Sequence, residues 1–272
     1  MSQTQTKEVA VKEEKTAIAL PEEMLGAFME DAGAGTENIG ADDMKIPFIR
    51  VLQPVSPQLK KKDSAYIPGA EAGDIFNTVT GQVWKAEDGV KVIPCAYVKK
   101  FLEFGPYEQG GGFKGELAPN SKDVLGAERV GNKDILASGN ELVTSAQHYV
   151  QIQDPSTGTW QTAIVDMKST SLKVSRQWNT QIQMQQGMSN GKAFKIPSFG
   201  CIWELTTDEF SNDMGSWNGW KIVGRNGYVE DAELYKSCKE FGQMVNAGEV
   251  ATASDPDLED SSQKTESADV PF

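Results

Sequence analysis

The chain has 272 residues, 39% of them apolar, enough for one large core or two small ones. A single histidine, His148, and three scattered cysteines, Cys95, Cys201 and Cys238, with no Cys-x-x-Cys, argue strongly against a four-ligand structural zinc site and suit buried thiols in a reducing compartment. The net charge of −13 is uneven: residues 1–43 hold 10 acids and 3 bases, residues 249–272 hold 7 and 1, and the 205 residues between hold 22 of each, so an acidic total does not exclude a polyanion as partner of the body.

Residues 1–20 are polar and carry both Lys and Glu, which is not the pattern of a signal peptide, and no apolar run has the length of a membrane helix. A cytoplasmic protein without a membrane partner is expected. Residues 1–43 read as an acidic, mostly disordered leader, 44–248 as the folded body and 249–272 as a disordered acidic tail, because segments so poor in aromatics cannot offset their ordering entropy. Within the leader, "PEEMLGAFMEDAG" (21–33) predicts a short amphipathic helix between Pro21 and Gly33.

In the body, "KIPFIRVLQ" (45–53) predicts a strand, and "IFNTVTGQVW" two short strands about a Thr-Gly turn. Residues 90–105 carry the longest strand signal, with a bulge or edge expected at Pro94. Residues 106–140 read as one long Gly-rich excursion. "QHYVQIQDPSTGTWQTAIVDM" (147–167) predicts a hairpin, and the following stretch a helix capped by Ser169 or Thr170 and ended by Gly187. Val174, Trp178 and Ile182 share its apolar face; Lys173, Arg176, Thr180 and Gln183 lie opposite. Strands at 199–207 and 219–227 and a helix from about Asp231 to Ala247 complete the body. The pattern points to a β-rich α+β fold with two or three helices, best matched by an OB-like Greek-key barrel with enlarged loops.

Catalysis finds little support. There is no phosphate-binding Gly-x-x-x-x-Gly-Lys-Ser/Thr motif, His148 sits in a predicted strand where a structural role is expected, and Asp154, Asp166, Glu204 and Asp208 show no spacing that marks a metal centre. The expectation is a protein that is not an enzyme and takes no cofactor.

Residues 167–203 are the most informative. These 37 residues contain no Asp or Glu, and Lys168, Lys173, Arg176, Lys192 and Lys195 alternate with Trp178, Phe194, Phe199 and Trp203. Cations that follow phosphates and rings that stack on unpaired bases are what single-strand binding requires. A second stretch, 97–115, offers Tyr97, Lys99, Lys100, Phe101, Phe113 and Lys114, with Phe113 read as a lone ring on a glycine arm; Lys60–Lys62, Trp217, Trp220 and Lys221 could extend the path. Trp178 and Trp203 have a competing reading as core. The tail adds Asp257, Glu259, Asp260 and Asp269 before Pro271 and Phe272, an acidic segment closed by an aromatic that a partner's pocket can grip.

The ending Asp269-Val270-Pro271-Phe272 resembles the tail of bacterial single-stranded DNA-binding proteins, which close with acids and Ile-Pro-Phe. "IPFIRVLQPVSPQL", "TSLKVSRQWNTQIQ" and "GWKIVGRNG" resemble single-stranded DNA-binding proteins encoded by bacteriophages. The resemblance implies an OB-type barrel that coats exposed single-stranded DNA in replication, recombination and repair in the host cytoplasm. It also implies recruitment of a polymerase, helicase or nuclease through the acidic C-terminus; a homodimer is compatible with it. The rival readings are a strand-annealing recombination protein, a scaffold without DNA binding, and a metal-dependent nuclease.

Overall fold

The computed structural model describes residues 21–32, 34–36, 38, 45–106, 111–213, 215–250 and 252. The chain divides into two units, Met1–Gly40 and Ala41–Phe272. In the first, a 3-10 turn at Glu22–Met24 runs into α1 (Leu25–Glu30), within the span the sequence predicts. Among the described residues no helix is long and apolar enough to cross a membrane.

The second unit is built on β1 (Phe48–Val51), β2 (Ile75–Asn77), β3 (Val83–Trp84), β4 (Val90–Phe104), β8 (Glu141–Gln153), β9 (Trp160–Lys168), β12 (Cys201–Asn212) and β13 (Gly215–Tyr228). They form one curled, open sheet in the order β13-β12-β4-β8-β9-β1-β2-β3, a half-barrel. All these pairings are antiparallel except β1 with β9. The Gln53 side chain spans part of the gap. It donates to the Asn218 carbonyl at 2.8 Å and accepts from the Asn218 N–H at 3.0 Å, doing with one amide what a neighbouring strand would do with backbone.

The two faces of the sheet follow from alternation along each strand. The concave face collects Ile49, Ile75, Trp84, Val92, Val150, Val165, Trp203 and Trp220, one from each strand of the path. Helix α3 (Leu172–Gln183) packs here through Ser175, Trp178 and Ile182. The other face collects Phe48, Ile93, Cys95, Tyr149 and Ile164 under α4 (Ala232–Ala247). Asp231 caps α4 by accepting the Leu234 N–H at 2.8 Å, and Gly248 ends it at φ +74°. Gly242 is required for the docking of α4, since a Cβ there would lie 2.6 Å from the Cys95 carbonyl oxygen.

The bulge expected at Pro94 is present. Pro94 pairs with Val150 and Ala96 with Tyr149, leaving Cys95 over. The extra residue resets the alternation, so Val92 and Tyr97 lie on the concave face although their numbers differ in parity.

Three expectations need correction. Residues 106–140 are not a featureless arm: among the described residues they hold β5 (Phe113–Leu117), α2 (Lys122–Leu125), β6 (Glu128–Val130) and β7 (Lys133–Ile135), and β5 extends the sheet beside β4. Neither Ser169 nor Thr170 caps α3. Residues Ser169–Ser171 form a 3-10 turn that leads into it. The helix also ends before Gly187, which lies in β10 (Gln186–Ser189), paired with β11 (Lys192–Lys195) about Asn190-Gly191. Both turn residues have positive φ, +50° and +73°, the geometry of a tight two-residue hairpin.

Candidate nucleic-acid interface

Strand β1 reads Phe-Ile-Arg-Val, so Ile49 enters the concave core while Phe48 and Arg50 turn to the other face. The Arg50 guanidinium carbon lies 5.5 Å from the centre of the Phe48 ring. Because β1 runs parallel to β9, with Ile49 beside Val165, Arg50 comes level with Asp166 and Lys168. The Asp166 carboxylate is 2% exposed and meets the Lys168 ammonium at 3.0 Å. Ser145 Oγ donates to Asp166 Oδ1 at 2.6 Å. Behind it, Gln147 Nε2 donates to Ser145 Oγ and the Tyr149 hydroxyl donates to Gln147 Oε1, a polar ladder along β8. Burial pushes the Asp166 carboxyl above the usual carboxylate range, while Lys168, Ser145 and Arg50 pull it back.

Arg50, Asp166 and Lys168 floor a cleft of about 720 Å³, within the size range of ligand sites. Its far wall is the tip of the β12–β13 hairpin, where Trp217 stacks on Phe210 with ring centres 6.2 Å apart and planes 22° apart. Phe210 is 40% exposed. Gln53 and Ser171 supply polar edges. The buried Asp166 carboxylate sits against two cations, Lys168 and Arg50. The loop that carries Ser56, Pro57 and Gln58 along the cleft continues into the exposed Lys60, Lys61 and Lys62.

The structure brings one of the ten sequence-named strand-binding residues, Lys168, into this cleft and divides the rest. Tyr97, Lys99 and Phe101 alternate onto the concave side of β4; Tyr97 and Lys99 are exposed and Phe101 is half-buried. Lys100 turns to the opposite side and pairs with Glu116 at 3.1 Å. Lys114 is exposed on β5. Phe113 is half-buried, with its ring 5.7 Å from that of Phe104, so it is part of a strand rather than a lone ring on an arm. Lys173 and Arg176 are exposed on α3.

Trp178 is fully buried, and the base-stacking role considered for it is corrected. Its ring lies 4.5 Å from His148 and 6.3 Å from Trp203, and Tyr97 closes the row at 5.0 Å from His148. The i, i+4, i+8 spacing that identified its helix face is what places it in the core. His148 shares a hydrogen bond with Ser175 Oγ at 2.8 Å, and burial pushes its pKa down to about 3. Asp154, Glu204 and Asp208 lie apart from Asp166: the first closes a turn on Ser156 and Thr157, the second meets Asn226 and the third pairs with Lys221. The tail residues Asp257, Glu259, Asp260, Asp269, Pro271 and Phe272 lie outside the described residues.

Residues 13–251 match a family model described as Pam3 phage gp34-like protein. The chain belongs to the Pam3 phage gp34-like family. The match takes in every strand of the sheet, the cleft and both α3 and α4, and leaves the last 21 residues outside it. The family's name is that of a bacteriophage protein, in line with the phage resemblance read from the sequence. Neither the curated proteins nor the solved structures contain a match.

Arg50, which lines the cleft, and Phe210, which stacks on the cleft residue Trp217, both escape the sequence. Arg50 reads as an ordinary outward residue of an alternating strand, and only the parallel pairing of β1 with β9 sets it beside Asp166. Phe210 has no local cation to mark it; it gains meaning from Trp217, seven residues on across a hairpin.

Proposed function

We propose that this protein binds single-stranded DNA without strong sequence preference, as a non-enzymatic component of phage DNA replication, recombination and repair. The observation that carries the reading is the cleft: two cations on its floor for phosphates and an aromatic wall on which a base can stack. Its position adds support. The meander β4-β8-β9, then α3, then the β12–β13 hairpin with β12 returning to pair with β4, is an order compatible with an OB-type barrel. In such barrels oligonucleotides lie across the second and third strands, between the loops that join strands one to two and four to five. On that reading the third strand would be β9, which lines the cleft through Asp166 and Lys168, and the second of those loops would be the hairpin tip bearing Trp217. The departure from a simple OB barrel is at the closing strand pair, where β1 takes the place beside β9.

The test is the affinity for oligo-dT and for duplex DNA as salt rises. Preference for the single strand, falling as salt rises, supports the reading; equal affinity for duplex, or no binding, removes it.

The acidic C-terminal segment would recruit a polymerase, helicase or nuclease, a reading supported by its charge and terminal Phe272. A chain ending at residue 248 should bind the strand more tightly at low salt and lose co-purification with such an enzyme. Retained co-purification would remove the recruiting role.

A further inference from the structure

The stretch without acids does not end at the cleft. Thr170 and Ser171 line the cleft, and α3 starts from them and runs 12 residues, about 18 Å, away from it. Lys173 and Arg176 are exposed along the way. Beyond the helix stands the β10–β11 hairpin, tied back by the Lys195 ammonium to Gln183 and by the Ile196 N–H to the Gln185 carbonyl. Lys192 and Lys195 are exposed on it, and Phe194 is 50% exposed.

Phe194 is held in place by its cross-strand partner, Gly187. A Cβ on Gly187 would lie 2.5 Å from the tip of the Phe194 ring, so the ring rests on bare glycine backbone. That contact fixes the ring while half of it stays in solvent. Among the described residues, Lys173, Arg176 and Lys192 have no acid within ion-pair distance. Cations without ion-pair partners and a ring already fixed in the open are complementary to a phosphate backbone with unstacked bases.

We propose that the outer side of α3 and the β10–β11 hairpin form a second single-strand contact, which takes the strand on from the cleft. This rests on the cleft's reading as a single-strand site, and strand length separates the two. A strand of about 4 nucleotides fits a single subsite, whereas one of about 16 reaches the upper end of what one OB-type unit occupies. The experiment measures fluorescence anisotropy of labelled dT strands of both lengths with the full chain, with the triple variant Lys173→Gln, Arg176→Gln, Lys192→Gln, and with Phe194→Leu. Lys195 is left in place because it secures the hairpin. The short strand should bind the triple variant within about twofold of the parent, while the long strand weakens at least about tenfold at low salt and its log–log salt slope falls by about 2. Phe194→Leu should weaken only the long strand, with the melting temperature of both variants within a few degrees of the parent.

Long-strand affinity and slope unchanged in the triple variant overturn the second contact and leave the cleft standing. Equal loss for both lengths also overturns it, since the effect is then not a continuation. If the short strand fails to bind the parent chain, the reading of the cleft itself is wrong.

Discussion

The cleft and the α3–hairpin surface both offer cations and rings, but they hold them in different ways. In the cleft, Lys168 is 16% exposed and locked to a buried acid, and Arg50 lies over Phe48. On the hairpin, Lys192 stands in solvent and only Phe194 is braced, by a glycine. A buried charge pair contributes little net stability for its desolvation cost, but it fixes where each charge points. An exposed cation is screened by salt and adds affinity chiefly through counterion release. On the proposed single-strand reading, the cleft would orient a nucleotide and the hairpin would add length-dependent and salt-dependent affinity.

The largest effect belongs to the cleft. Trp217→Leu removes the wall ring while leaving the Asp166–Lys168 pair intact, and should weaken a short dT strand roughly 10- to 100-fold, in line with about 1–3 kcal/mol per stacked base. Full affinity in a folded Trp217→Leu chain would make the cleft no better oriented than the hairpin. A separate measurement tests the core beneath both regions. His148 is buried neutral, with its pKa held near 3 against about 6.5 when unfolded. The unfolded chain therefore binds the extra proton between those values. His148's contribution to stability is fully present above about pH 6.5 and is lost as pH falls, by at most about 1.4 kcal/mol per pH unit. Thermal melts from pH 7 to 4 should show a steeper decline for the parent than for His148→Gln; identical slopes would mean that His148 does not stay neutral.

Much of the fold was legible in the sequence, for local reasons. The span 90–105, the Pro94 bulge and the Asp231 cap depend on neighbours a few residues away, and so do the hairpin at 147–167 and the faces of α3. What was not legible depends on distant pairing or on short elements. Strands β5, β6 and β7 have only three to five residues each and little alternation to detect. The β10–β11 hairpin has a clear signal in Asn190-Gly191, but Gly187, three residues earlier, also fits a helix terminator, so the two signals compete. Of the site, the acid-free segment 167–203 led to Lys168 and to the hairpin. It could not separate Trp178, which packs inward on His148, from Phe194, which lies open on Gly187. That distinction is made by the partner across the strand or the sheet, and composition does not carry it.

The most direct measurement is the paired titration of the full chain with oligo-dT and with duplex DNA of the same length, from low to physiological salt. A single-strand preference that persists while both affinities fall with salt is the expected result. Duplex binding as tight as single-strand binding at every salt concentration would contradict it.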